Sequence, residues 1–451
     1  MTQAASFRTE LKKLLALMIP ILMTQFSQAG LGLIDTIMAG QISAADLAAI
    51  AIGVGIWIPI MLLSASIVIA TTPLIAEAIG AKQRQNIAYI VRQSLWLSAG
   101  LGIFAFFVLQ LMPLMLSAFK VPLDLQAKVS LFLRSIAFGM PAVCMYTSLR
   151  CYSEALGHPR PVTAISLLSL VVLIPLNCVF MYGMGPFPAL GSAGGGVATA
   201  ILQWLMFFTL ATYISKAETY HNDQLFTRWD RFNPVIAKKI IVLGVPIGLA
   251  VFFEVSVFSS GAIILSTLGD TVVAAHQIAI SVTSQLFMIP MSLSIALTIR
   301  VGTYYGEKNW DAMKKVQHVG LVTATCSACI TMVIIAVFKE QITALYTHDL
   351  RVAQITLSLL YFCISYQLLD ALQVSAAGCL RGMQDTRSSM WVTLISYWGI
   401  SMPLSIYWIR YSVHGPEAIW FSLNIGLLIA CILLLSRLYI TNKQVIQQHT
   451  P

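Results

Sequence analysis

Charge is what this chain lacks. Of its 451 residues only 10% are Asp, Glu, Lys or Arg, against about 25% in a soluble domain. Such a chain cannot cover a water-facing surface of its own size. With 58% hydrophobic residues, most of it belongs in lipid. Several chemical signatures are missing too. No G-x-x-x-x-G-K-[ST] phosphate loop occurs, so ATP-driven transport has no support. No H-E-x-x-H or G-x-S-x-G occurs, and the seven His residues are scattered. His158, His221, His318, His348 and His414 lie in or near loops, and only His276 falls inside an apolar segment. An enzyme is therefore unsupported, and no cofactor is implied. The eight Cys residues lie almost all in apolar stretches. Cys326 and Cys329 form a C-x-x-C without a nearby His, which reads as packing. The net charge of +9 is spread one loop at a time, which argues against a nucleic-acid partner and for membrane topology. The first apolar segment is too long for a signal peptide and lacks a small-residue cleavage site.

What the chain does contain is one module written twice. Shifted by 226 residues, Lys12-Lys13 fall on Lys238-Lys239, Pro20 on Pro246, Ala48-Ala49 on Ala274-Ala275 and Ile52 on Ile278. The same shift carries Gly80 onto Gly306 and Lys82 onto Lys308. Farther along the match is looser: SEALGHPRP at 153–161 resembles LRGMQDTRS at 380–388. Repeats of this kind build many transporters, with the substrate site near the repeat interface.

A bilayer-spanning helix needs about 20 mostly apolar residues. Twelve segments qualify: 14–40, 46–76, 89–115, 129–153, 161–183, 190–215, 238–265, 272–299, 318–337, 352–377, 389–410 and 417–438. The sequence therefore predicts an all-α integral membrane protein of two six-helix bundles. Residues 1–215 form the N-terminal bundle, 216–237 a cytoplasmic linker and 238–451 the C-terminal bundle. With the N-terminus inside, 21 of the 27 basic residues fall on inner loops and tails. The outer side holds only Lys120, Lys128, Arg134, Lys339, Arg351 and Arg410. This bias places both termini in the cytoplasm.

Ionisable residues inside a span are costly and mark function by default. Asp35, Glu254 and Asp370 lie well inside segments, whereas Glu77 and Glu154 fall at cytoplasmic ends within reach of water. Asp35 shares a helix face with Thr24, Gln28, Gly32 and Ala39, at spacings of three and four. That small, polar face suits a cavity wall. In the repeat frame Gln28 aligns with Glu254 and Asp35 with Gly261, so the two acids are not equivalent. Glu254 stands among Phe252, Phe253, Val255, Val257 and Phe258, and Asp370 among Tyr366, Gln367, Gln373 and Ser375. Gln277, beside His276, and Tyr366 are further candidate cavity or partner residues. No Lys or Arg lies deep in a segment to pair with the acids; Arg134 and Arg300 lie towards helix ends. Buried anions without fixed cations make a cation site, whose occupant is a proton, sodium or an organic cation.

At these residues the sequence resembles the multidrug and toxic compound extrusion family, in its NorM-type bacterial branch. The likeness is carried by QAGLGLIDTIMAGQISAADLAAIAIG at 28–53, IPLNCVFMYG at 174–183 and VPIGLAVFFEVSVFSSGAIILSTLG at 245–269. It continues in AAHQIAISVTSQLFMIPMSLSIALTIRVG at 274–302 and QLLDALQVSAAGCLRGMQDTR at 367–387. The resemblance implies an antiporter of the bacterial inner membrane, a monomer, exporting cationic or amphipathic drugs against inward sodium or proton flow. It implies two bundles around a central cleft of alternating access. By motif Glu254 and Asp370 match the cation-coupling acids of the C-terminal bundle and are candidate sodium ligands. Asp35 matches the acid of the N-terminal bundle, and Asn177 a polar partner on the fifth helix. One departure is GSAGGGVAT at 191–199, richer in Gly than the family pattern. The alternative is a flippase for lipid-linked precursors in the same superfamily, but that function favours a basic cavity, and this one reads as acidic.

Overall fold

A computed structural model describes residues 6–118, 121–185, 187–411 and 415–449; Lys120 and His414 lie outside them. The described residues contain helices and no strands. In chain order the helices are α1 (Phe7–Ile42), α2 (Ala44–Ile69), α3 (Thr71–Gly80), α4 (Arg84–Leu111), α5 (Leu123–Ala137), α6 (Met140–Ala155), α7 (Arg160–Phe180) and α8 (Ser192–Lys216). The second half repeats them as α9 (Pro234–Leu265), α10 (Asp270–Gly306), α11 (Trp310–Tyr346), α12 (Leu350–Gly382), α13 (Thr386–Thr393), α14 (Met402–Tyr411) and α15 (Glu417–His449). α2 and α3 run together as one span, and a π-helical stretch, Leu394–Ser401, joins α13 to α14. Among the described residues eleven helices are long and apolar enough to cross a membrane, and twelve if α5 with α6, bent by 42°, is taken as one span. The protein is thus a multi-pass membrane protein, with a span at each of the twelve segments predicted from hydropathy. The helices overrun the segments: α10 has 37 residues, about 55 Å at 1.5 Å per residue, against a hydrocarbon core of about 30 Å.

The duplication is visible in the backbone as well as the sequence. Lys82 and Lys308, 226 positions apart, both take the left-handed conformation, at φ 58° and 54°. Each closes the preceding helix with the same pair of bonds. Gln83 N–H donates to Ala78 O as Asn309 N–H donates to Tyr304 O, and Lys82 N–H donates to Ile79 O as Lys308 N–H donates to Tyr305 O. Later the offset becomes 227: Gly157 and Gln384 are left-handed, and His158 and Asp385 donate to Ser153 O and Leu380 O.

The chain packs as two units. One comprises Ile19–Gly248; the other comprises Leu249–Pro451 with the stretch up to Met18. These bounds differ from the sequence division at 215 and 238, because packing and duplication follow different borders. In the first unit the linker is docked and not free. Asp230 accepts from Arg92 Nε at 2.7 Å, Gln93 Nε2 donates to Arg231 O at 2.9 Å, and Tyr152 Oη donates to Asp223 at 2.8 Å. Gly244 then lets α9 pass so close to α2 that a Cβ would stand 2.4 Å from Ile67 O. In the second unit the start of α1 is tied to α10. Glu10, 1% exposed, accepts from Arg300 Nη2 at 2.7 Å and from Tyr304 Oη at 2.6 Å.

Two local readings change. Glu154 is not at a watery helix end. It is buried, because α6 is enclosed by α3, α4 and α8, and its partner is Arg150 at 3.5 Å. Glu77, by contrast, is partly exposed near the end of α3, as expected, and faces Lys239 at 3.9 Å. Cys326 and Cys329 are exposed on α11 and not packed, and all eight cysteines are free.

Candidate functional site

Two polar clusters occupy the predicted positions, one in each unit. In the first, Asp35 projects from α1 and both its oxygens are engaged. Asn177 Nδ2 on α7 donates to Oδ1 at 2.7 Å, and Thr199 Oγ1 on α8 donates to Oδ2 at 3.0 Å. Asn177 is fully buried. The Gly run of α8 makes the arrangement possible. At Gly194 a Cβ would stand 2.1 Å from Phe180 O, and at Gly196 2.9 Å from Phe132 O. The glycines let α8 lie directly on α7 and α5, and that approach carries Thr199 to Asp35. The sequence read this Gly richness only as a departure, and Thr199, its last residue, went unnoticed.

The remaining residues of the α1 stripe do not share one surface. Thr24 is buried and bonded to Thr163 Oγ1 at 3.1 Å, so it is a helix contact and not a cavity wall. Ala39 lies in an apolar cluster with Ala49 and Ile50. Gln28 and Gly32 are exposed, and Gly32 has open space where a Cβ would be. Gln277 is likewise exposed on α10.

In the second unit Glu254 on α9 and Asp370 on α12 lie within coulombic reach of each other. The phenols of Tyr366 and Tyr397 lie in the field of both. Asp370 is 1% exposed, and its Oδ1 has no hydrogen-bond partner among the described residues. Gln367 Nε2, one turn away, is buried and unpartnered as well. Leaving a buried polar atom unsatisfied costs about 1–3 kcal/mol, and more if it is charged. Asp370 is therefore favoured either protonated and neutral, or ionised with a cation beside it.

The π-helical stretch holds this cluster together. Wider turns of this kind are frequent at functional sites. Tyr397, fully buried, donates to Gln373 Oε1 at 3.2 Å. Its neighbour Trp398 donates through Nε1 to Phe253 O at 3.2 Å and Ser256 Oγ at 3.1 Å, on either side of Glu254. α15 approaches the same stretch at Gly426, where a Cβ would meet Ser401 Cβ at 2.7 Å. Neither Tyr397 nor Trp398 was legible, since a π turn has no sequence signature comparable to a Pro kink.

His276 lies on the other side of Tyr366. Trp420 Nε1 donates to its Nδ1 at 3.1 Å, and the Trp420 ring packs edge-on to Tyr366 at 6.1 Å. The bond assigns Nδ1 as the acceptor, so the proton of a neutral imidazole sits on Nε2. Nε2 faces Gly261, 3.6 Å from where a Cβ would be. Gly261 is the repeat mate of Asp35, so the second unit puts an imidazole where the first puts a carboxylate.

One expectation needs correction. The acids do have a basic neighbour. Arg381, in the last turn of α12, acts electrostatically on Glu254. Its Nη2 donates to Ser294 Oγ at 2.8 Å. Read as a helix-end residue, it belonged to a loop. But helical side chains tilt towards the N-terminus, and an Arg stem is long enough to carry its charge back into the bundle. The pair still lies beyond ion-pair distance. Among the described residues no three His, Cys, Asp or Glu side chains converge as for a bound metal.

The fold and these clusters define a membrane transporter built from a duplicated helical bundle. The family model MatE matches residues 20–179 and 246–407, one stretch in each half, and the chain belongs to that family. It is 62% identical to the "Probable multidrug resistance protein NorM" of Acinetobacter baylyi, across 99% of this chain and 100% of the relative. It is 38% identical to the "Multidrug resistance protein PmpM" of Pseudomonas aeruginosa, across 100% and 95%. Among solved structures, a MATE protein in the bent conformation superposes with TM-score 0.90 at 18% identity, covering 99% of both chains. The eukaryotic MATE transporter AtDTX14 superposes at 0.88 and 18% identity, covering 98% of both.

Proposed function

We propose that this protein exports cationic or amphipathic drugs across the bacterial inner membrane by antiport with sodium or protons. The observation that carries the reading is the pair Glu254 and Asp370, mutually repelling when both are ionised: Asp370 is buried with an unpartnered carboxylate oxygen, and Glu254 is partly exposed. One sodium ion or one shared proton relieves that repulsion, and a cationic drug competes for the same charge. The relatives' names, multidrug resistance proteins, support the substrate class.

The cycle follows from charge. Entry of a cation from outside neutralises the acids and favours closure of the outer side. Drug arriving from inside displaces the cation and favours reopening. One positive charge moving inward releases about 2.3 kcal/mol per 100 mV. That supports about a 50-fold gradient of a neutral drug, since 1.4 kcal/mol is tenfold. The basic bias, 21 against 6 of the 27 Lys and Arg residues, supports cytoplasmic termini and a cytoplasmic linker. Each chain holds both halves of the repeat, so a monomer suffices.

The test is uphill efflux of a lipophilic cationic dye from proteoliposomes, under an imposed sodium gradient and, separately, an imposed pH gradient. At least one gradient is expected to drive the dye against its own concentration. If neither does so in vesicles that hold the protein folded, the antiport reading fails.

A further inference from the structure

The linker presents a surface that transport does not use. Trp229, Phe232 and Val235 are 59%, 52% and 71% exposed. They recur every third residue, and before, between and after them come the exposed Arg228, Arg231, Lys238 and Lys239. Three large apolar side chains turned outward in a connector are unusual for a water-facing loop. Nor are they loose. Trp96 Nε1 on α4 donates to Asp230 O at 3.1 Å, and Asn233 is bonded to both Gln93 Oε1 and Tyr89 Oη at 2.7 Å. The backbone between the exposed residues is thus pinned to the first unit, and the side chains are held facing out.

Their depth can be read from α4. The uncharged run of this span begins after Arg92 and continues through Met115, close to the length that crosses a hydrocarbon core. Arg84, Tyr89 and Arg92 precede it, and Trp96 stands in its first turn. Trp96 therefore sits at the headgroup boundary, where Trp and Tyr concentrate. Trp229 packs edge-on against it, ring centroids 6.1 Å apart, so the linker shares that level.

The charges at this level are unbalanced. Asp230 is engaged by Arg92 at 2.7 Å, which leaves the Arg228 side chain, 83% exposed and 3.5 Å away, in excess. Lys239 faces Glu77 at 3.9 Å. Among the described residues no carboxylate lies within ion-pair distance of Arg231 or Lys238.

We propose that residues 228–239 form a membrane-surface site for anionic phospholipid. Arg228, Arg231 and Lys238 engage the lipid phosphates, and Trp229, Phe232 and Val235 lie among the glycerol and upper acyl groups. Aromatic residues with flanking basic residues are the pattern that binds anionic leaflets, at about fivefold in affinity per basic residue.

The test places the photoreactive residue benzoylphenylalanine at position 232 of the full chain, in vesicles of phosphatidylethanolamine with phosphatidylglycerol as the minor lipid. Illumination is expected to give lipid adducts in which phosphatidylglycerol exceeds its share of the vesicle about fivefold or more. In Arg228→Gln/Arg231→Gln/Lys238→Gln the adducts should persist while the enrichment disappears. Adducts at the bulk lipid ratio in the unsubstituted linker would overturn the anionic site. Adducts to a second protein copy, or none at all, would overturn the membrane surface itself.

Discussion

Glu254→Gln and Asp370→Asn are each expected to abolish cation-driven efflux, and the double variant should be little worse than either single one. The two carboxylates share one field, which also reaches Tyr366 and Tyr397. Removing one partner of a buried charged pair costs about 2–5 kcal/mol, so losses of about 30-fold or more in ion-driven rate follow. Groups that act as a unit do not add. The amides conserve volume, so the bundle should fold, and membrane levels near those of the unsubstituted protein are the control. The comparison is made on initial dye efflux under the gradient that drives the unsubstituted protein. Should the two losses multiply, the acids work separately and the shared site is wrong.

Asp35→Asn should lower efflux about tenfold while the protein still reaches the membrane. Asp35 accepts two hydrogen bonds, from Asn177 Nδ2 and Thr199 Oγ1. An asparagine offers one carbonyl oxygen and one NH2, so one of the donors must lose its acceptor or turn away. The penalty for a stranded buried polar group is about 1–3 kcal/mol, small beside the packing of three long helices. The loss therefore falls on the conformations that Asp35 distinguishes and not on folding. Efflux by Asp35→Asn equal to that of the unsubstituted protein would make the acid only a link between α1, α7 and α8.

The spans were legible because a bilayer allows few solutions: a spanning helix must bond its own backbone and show apolar side chains to lipid. The duplication was legible because it reaches residues that set backbone geometry. Lys82 and Lys308 matched in sequence, and both prove to be left-handed helix stops. The acids were legible because each is an ionisable residue well inside a predicted span, and Asp35 bonds Asn177, the polar partner that the family resemblance implied. What stayed hidden depends on side-chain reach and helix approach. Arg381 falls past the predicted end of its span at 377, yet its guanidinium acts on Glu254. Glu154 looked wet because its segment ends nearby, yet neighbouring helices cover it. Thr199 required the close approach that Gly194 permits, and Trp398 required a π turn. Each is a three-dimensional consequence that no spacing rule contains.

Competition between cation and drug at one carboxylate pair is the centre of this account. Its most direct test is ion release on drug binding. Purified protein in weakly buffered detergent solution is equilibrated with sodium and then saturated with a lipophilic cationic drug, while ion-selective and pH electrodes follow the solution. The account predicts release of sodium or protons from the unsubstituted protein, and none from Glu254→Gln/Asp370→Asn. Saturable drug binding to the unsubstituted protein with neither ion released would contradict it.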